Sequence, residues 1–314
     1  MNTSTFDLTQ LGTKPYIMDG GLETTLIFEN GYDLPEFAAF PLLDQEKGRT
    51  ILRDYYLRYI HIARKNRYGF ILEGPTWRAS KDWGEKLGYG HVELKRINTE
   101  AISFLADLKN AYADENSPML VSGCIGPRGD GYQIDRKLTA EQAEAYHQVQ
   151  IGHFRRAGAD LVAAYTINYT EEAIGIVKAA QKEGIPAVIS FTVETDGRLP
   201  SGQPLGEAIT QVDLETGSGP AYYMINCAHP SHFKHILIDD QDWLGRIRGV
   251  RANASKKSHT ELDESEKLDR GNLAEFGEEN ANLTHILPNL HIFGGCCGTD
   301  HHHLEEICQR IDRP

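Results

Sequence analysis

Apolar positions along the chain gather in short continuous runs instead of alternating with polar ones. The runs begin near Tyr16 (YIMDGG), Phe70 (FILEGPTW), Met119 (MLVSGCIG), Asp160 (DLVAAYTIN), Ala187 (AVISFTV), Tyr222 (YYMINC), Ile247 (IRGVRANAS) and Leu290 (LHIFGGCCG). A strand covered on both faces has no polar side to show, so this pattern predicts eight buried parallel strands. The stretches between them carry helical spacing. Ile51, Leu52, Tyr55, Tyr59, Ile62 and Ala63 share one face, and Leu304, Ile307, Cys308 and Ile311 form the stripe of a last helix. Thr139 followed by Gln142 predicts a capping box opening a helix that ends near Gly158. Gly184 before Pro186 predicts a helix stop and then a strand. Eight strand–helix units in 314 residues predict an α/β fold, a single-domain (β/α)8 TIM barrel over 1–314. The rival is an open doubly wound sheet, but no G-x-G-x-x-G follows a first strand and no Walker lysine motif is present.

Composition narrows the function. Hydrophobic residues are 40% of the chain and charged residues 25%, which speaks against a mainly disordered chain. Acids outnumber bases 45 to 32 for a net charge of −13, so there is no global attraction for nucleic acid or an anionic membrane. No apolar run approaches the ~18 residues that span a bilayer, and no basic-then-apolar leader is visible. Five cysteines are too few and too unevenly spaced for a disulfide framework. The expectation is a cytoplasmic protein with reduced thiols that binds no nucleic acid and no membrane; its oligomeric state is not readable. The least regular stretch is Lys256 to Gly271, where nine of sixteen residues are charged. It is expected to be a solvated excursion, with a mobile lid over the catalytic face as the alternative.

In a barrel of this kind, chemistry sits at the C-terminal ends of the strands. Asp19-Gly20-Gly21, Glu73, Cys124, Asn226-Cys227, Asn253 and Gly294-Gly295-Cys296-Cys297-Gly298 fall there. Cys227, Cys296 and Cys297 therefore reach one rim from strands six and eight. Three soft thiolates with one position open suit a catalytic zinc ion, Zn2+. The plain alternative is small buried hydrophobes. Glycines on both sides of the Cys296-Cys297 pair let the backbone turn tightly around a metal or ligand, which favours the metal. Cys124 reads as a packed small residue, Cys308 as core, His301-His302-His303 as a solvated helix start and Asp130 as a turn residue.

These residues resemble the zinc-dependent homocysteine S-methyltransferases. That family includes betaine- and S-methylmethionine-using enzymes and the homocysteine module of cobalamin-dependent methionine synthase. The matching motifs are Asp19-Gly20-Gly21-Leu22-Glu23-Thr24, Ile125-Gly126-Pro127, Ser190-Phe191-Thr192-Val193, Asn226-Cys227 and Gly295-Cys296-Cys297-Gly298-Thr299, in family order. The resemblance implies zinc on Cys227, Cys296 and Cys297, and an Asp19-Gly20-Gly21 turn that helps to hold the amino-acid end of homocysteine. The chain departs from the pattern at the end of strand four. There, many members carry a Glu-Thr whose glutamate contacts the substrate amine, and this sequence has Tyr165-Thr166. Either another acid replaces it, Glu73 or Glu194, or the acceptor is a different thiol. The implied reaction moves a methyl group from a small soluble donor to homocysteine, giving methionine, with S-methylmethionine ahead of betaine. The implied partners are small-molecule substrates. A zinc hydrolase on the same barrel and a non-catalytic zinc- or ligand-binding barrel are the competing readings.

Overall fold

Eight parallel strands close on themselves in the order of the sequence: β1 (Tyr16–Ile17), β2 (Gly69–Glu73), β3 (Met119–Ile125), β4 (Leu161–Ile167), β5 (Ala187–Phe191), β6 (Tyr222–Asn226), β7 (Ile247–Ala252) and β8 (Ile292–Gly295). The structure is a computed structural model that describes residues 11, 14–238, 241–263, 265 and 267–311. The first ten residues, read above as lacking a leader, lie outside that set. Closure is made by β1 and β8, with Tyr16 opposite Ile292 and Ile17 opposite Phe293. Helices follow the strands, among them Glu46–Asn66, His91–Tyr112, Ala140–Ala157, Thr170–Glu183, Leu205–Thr216, Leu273–Asn282 and His301–Arg310. This is the (β/α)8 barrel that the apolar runs predict.

The continuous apolar runs have a direct cause. Alternate residues of each strand face two different cores. Val162, Ala164 and Ile167 of β4 face the helices, while Leu161, Ala163 and Tyr165 fill the barrel interior with Ile71, Leu120, Val188, Tyr222, Met224 and Ile292. Each large side chain buried in this way contributes roughly 1.5–3 kcal/mol. Local signals fall where the sequence puts them. Gln142 N donates to Thr139 Oγ1 at 3.3 Å and Thr139 N to Gln142 Oε1 at 3.1 Å, and the helix ends on left-handed Gly158. Gly184 ends the Thr170–Glu183 helix in the same conformation. Cys308 is buried in the last helix, as expected.

The histidine triplet needs correction. His302 is exposed, but His303 is fully buried and its Nε2 donates to the Arg270 carbonyl at 2.9 Å. Asp300 caps this helix, and the capping box draws its third residue inward. No helix among the described residues is long and apolar enough to cross a membrane.

Candidate active site

β6 and β8 deliver three sulfurs to one rim. The Sγ atoms of Cys227, Cys296 and Cys297 all lie within 4.8 Å of one another. Cys227 and Cys297 are 3.9 Å apart, while Cys227 and Cys296 are joined as a disulfide. The expectation of free thiols therefore holds for Cys124, Cys297 and Cys308 but not for this pair. Two thiolates on a tetrahedral zinc with bonds of ~2.3 Å stand ~3.8 Å apart; the Cys227–Cys297 pair has that spacing, and Cys227 and Cys296 would reach it only once their disulfide is reduced. The glycines around it are required by crowding. A Cβ on Gly21 would sit 2.5 Å from the Cys296 carbonyl oxygen.

The backbone at this rim is strained at two residues, each held by its own side-chain partners. Thr166 (φ 62°) and Cys227 (φ 53°) are both in the left-handed region, which is uncommon for any residue with a Cβ and rarest for a β-branched one. Asn226 over-determines the first. Its Oδ1 accepts from Thr166 N at 2.9 Å and from Ser190 Oγ at 2.7 Å, and its Nδ2 donates to Thr166 Oγ1 at 3.0 Å. The same Nδ2 points at Cys296 Sγ from 4.0 Å. Asn226 thus ties β4, β5 and β6 to one of the sulfurs. The second strained residue is held by its carbonyl, which accepts from His259 Nε2 at 2.6 Å and Asn253 Nδ2 at 3.0 Å.

Beside the sulfurs opens a cavity of about 420 Å³, lined by Asp19, Gly20, Gly21, Glu23, Glu73, Trp77, Arg78, Cys124, Tyr165, Asn226 and Arg251 among others. Its two deepest carboxylates are differently occupied. Asp19 Oδ1 accepts from Arg251 Nη2 at 2.8 Å and Oδ2 from Tyr55 at 3.1 Å. Glu73 accepts the Tyr165 hydroxyl on Oε1 at 2.7 Å, and its buried Oε2 has no partner within 3.5 Å, with the Ser122 hydroxyl near enough to favour the ionised carboxyl. Burial pushes the Glu73 carboxyl up to about 7, against the opposing pull of Arg251 and the Tyr165 bond. Burial likewise raises Glu23 to about 7 and the Cys124 thiol well above its ordinary range. Cys124 is both packed and part of the cavity wall. Asp130 is the turn residue expected, its Oδ1 accepting from Tyr132 N and Gln133 N. Glu194 pairs with His259 Nδ1 at 3.3 Å and stands outside the cavity lining.

The charged stretch after β7 also needs correction. It carries a short helix, His259–Asp263, and Ser255, His259, Leu262, Lys267, Leu268 and Asp269 line the cavity. His259 stacks on Tyr132 at 4.1 Å between ring centres. Lys256, Lys257 and Glu261 are exposed while His259, Leu262, Lys267, Leu268 and Asp269 line the cavity, so the stretch is a cover and not only a solvated excursion.

A family model described as homocysteine S-methyltransferase matches residues 16–311. The chain belongs to the homocysteine S-methyltransferase family. Homocysteine S-methyltransferase YbgG of Bacillus subtilis (strain 168) is 23% identical over 313 residues, covering 95% of each chain. Homocysteine S-methyltransferase 2 of Arabidopsis thaliana is 20% identical over 319 residues, 94% of this chain and 92% of that one. Among solved structures, the metallated form of the homocysteine methyltransferase MmuM from Escherichia coli shares the fold with a TM-score of 0.72 at 17% identity, over 96% of this chain and 99% of that one. Its oxidized form gives 0.71 at 19% identity, with the same coverage. This homocysteine S-methyltransferase family barrel is an enzyme, a methyltransferase.

Three residues of the family member's site escaped the sequence reading. Arg251 shares β7 with Arg248, and only the inward alternation Gly249, Arg251 separates them; Gly249 could have signalled it, since its missing Cβ leaves room for Met224. His259 lies inside the charge-rich segment that masks it. Arg78 follows Trp77 in the loop after β2, and a lone loop arginine carries no signal until its neighbours are known.

Proposed function

We propose that this chain transfers a methyl group from a small sulfonium or quaternary ammonium donor, S-methylmethionine ahead of betaine, to the thiol of homocysteine, with Zn2+ held by Cys227, Cys296 and Cys297. The observation that carries the reading is three sulfurs and a buried carboxylate oxygen with no partner within 3.5 Å around one cavity. Zinc on three thiolates supplies a Lewis acid that keeps a substrate thiol deprotonated near neutral pH. The remaining work belongs to the chain. Asn226 Nδ2 faces Cys296 Sγ, and His259 with Asn253 holds the Cys227 carbonyl, so these residues would steady the two strand ends once the pair is reduced. Glu73 Oε2 is placed to take the substrate ammonium, with Tyr165 orienting the carboxylate, so that the acid and the tyrosine together replace the missing glutamate. Asp19 is the lesser amine partner because both its oxygens are already engaged, and its Arg251 bridge braces the Asp19-Gly20-Gly21 turn. Trp77, Tyr132 and the His259–Asp263 cover shield the site from water. A cytoplasmic location suits chemistry that needs the Cys227–Cys296 pair reduced.

The test is metal analysis of the reduced protein beside methyl-transfer assays with S-methylmethionine and betaine. About one zinc per chain is expected, lost together with activity in each single Cys→Ser variant. Full zinc retention in Cys227→Ser would remove β6 from the donor set and end the three-thiolate reading.

A further inference from the structure

Among the described residues, Arg78 lines the cavity as a buried cation without an ion pair. Arg78 is 7% exposed, and its guanidinium lies between two indoles, 4.0 Å from the Trp77 ring centre and 3.5 Å from that of Trp83. Nη1 donates to the Gly129 carbonyl at 3.2 Å, whereas the buried Nε has no hydrogen-bond partner. Among the described residues no carboxylate stands within the 4.0 Å of an ion pair; Asp130, Glu23 and Glu36 act on it from further away. Burial pulls it down to about 10, which leaves it a cation at neutral pH. Arg251, the other arginine of the cavity, is by contrast saturated by Asp19 and the Gly20 and Gly295 carbonyls.

A buried guanidinium without a counterion is costly unless something compensates it. The two indole contacts supply part of the compensation and leave the Nε hydrogen without an acceptor. The guanidinium edge that carries it is planar and matches the two oxygens of a carboxylate. We propose that Arg78 is a subsite for the carboxylate of a substrate, at the opposite charge sense from Glu73 in the same cavity. Together the two residues read a zwitterion: ammonium at Glu73 Oε2, carboxylate at Arg78. The choice of substrate rests on the methyl-transfer reading, but the anion subsite does not. Both the thiol acceptor and a sulfonium donor of amino-acid type carry such a carboxylate.

The experiment follows the fluorescence of the reduced, zinc-loaded full chain, since Trp77 and Trp83 flank the subsite. It is titrated with methionine and with 3-(methylthio)propylamine, which lacks only the carboxylate, in wild type, Arg78→Gln and Arg78→Lys. Wild type is expected to prefer methionine about 10- to 100-fold, as a charge-assisted hydrogen-bonded pair would give. Arg78→Gln should shrink the preference below about 3-fold, and Arg78→Lys should restore part of it by charge without the fork. Because each preference is a ratio within one variant, a partly unfolded sample does not imitate the effect. Steady-state assays then assign the carboxylate: a KM rise for homocysteine alone places the acceptor at Arg78, and one for S-methylmethionine alone places the donor there. No preference in wild type, or an undiminished one in Arg78→Gln, overturns the subsite. Arg78-dependent methionine binding with no methyl transfer from any donor would keep the subsite and overturn the methyl-transfer reading instead.

Discussion

Replacing Tyr165 by phenylalanine removes one hydroxyl and should move one pH limb. The phenol donates to Glu73 Oε1 at 2.7 Å inside the cavity, and this bond favours the ionised carboxylate. A hydrogen bond to a charged group is worth about 1.5–3 kcal/mol. At 1.36 kcal/mol per pH unit, its loss lifts the Glu73 carboxyl from about 7 by a further ~1–2 units. The sign is fixed by the role: only ionised Glu73 can hold an ammonium, so kcat/KM for homocysteine falls as pH drops through the carboxyl's midpoint. At pH 7 the ionised fraction goes from about one half to roughly 1–9%, a loss of about 5- to 50-fold. At pH 9 most of it returns, and the two enzymes should agree within about 2-fold. The assay is kcat/KM across pH 5.5 to 9.5 for both proteins, taken as a ratio so that ionisation of the substrate thiol cancels. A ratio flat with pH would refute the argument, since it would mean that Tyr165 acts by packing and that Glu73 is not the titrating group.

Two further substitutions test the frame around the site. Asp19→Ala strands Arg251, whose side chain is only 11% exposed, and should cost about 3–5 kcal/mol in urea unfolding, with Asp19→Asn milder; a cost under ~1 kcal/mol would show that the pair is not a structural brace. Asn226→Ala leaves Thr166 N and Ser190 Oγ without their partner and should lose about 2–4 kcal/mol and weaken zinc retention, whereas an unchanged Tm would dissociate the amide from the strained bulge.

The barrel was legible because its signal is local. Each apolar run needs only its own residues to show burial on both faces, and the Thr139–Gln142 and Gly184 signals act over three residues or fewer. The cysteines were legible for a related reason, since the glycines beside Cys296 and Cys297 mark a turn under crowding, and Gly21 meets the Cys296 carbonyl there. What stayed hidden depends on distant pairs. Glu73 and Tyr165 come from β2 and β4, which are not neighbours, so their 2.7 Å contact exists only across the barrel interior. Arg78 becomes notable only when Trp77 and Trp83 close on it, and the inward turn of His303 at its capping box is completed by the Arg270 carbonyl. The charge-rich stretch after β7 misled for the opposite reason: its composition reports the solvent side and conceals the face over the cavity.

The pairing of β1 with β8 sets when the site comes into being. Ile17 meets Phe293 across almost the whole described chain, the kind of contact that folding forms late because so much chain must be ordered first. Cys296 and Cys297 sit just past that seam, and Gly21 supplies the gap they turn through. A chain folded only through β6 and β7 offers Cys227 by itself, a weak chelator. If the three cysteines hold zinc as proposed, tight metal capture would report a finished barrel, and its uptake during refolding would time the last strand's arrival.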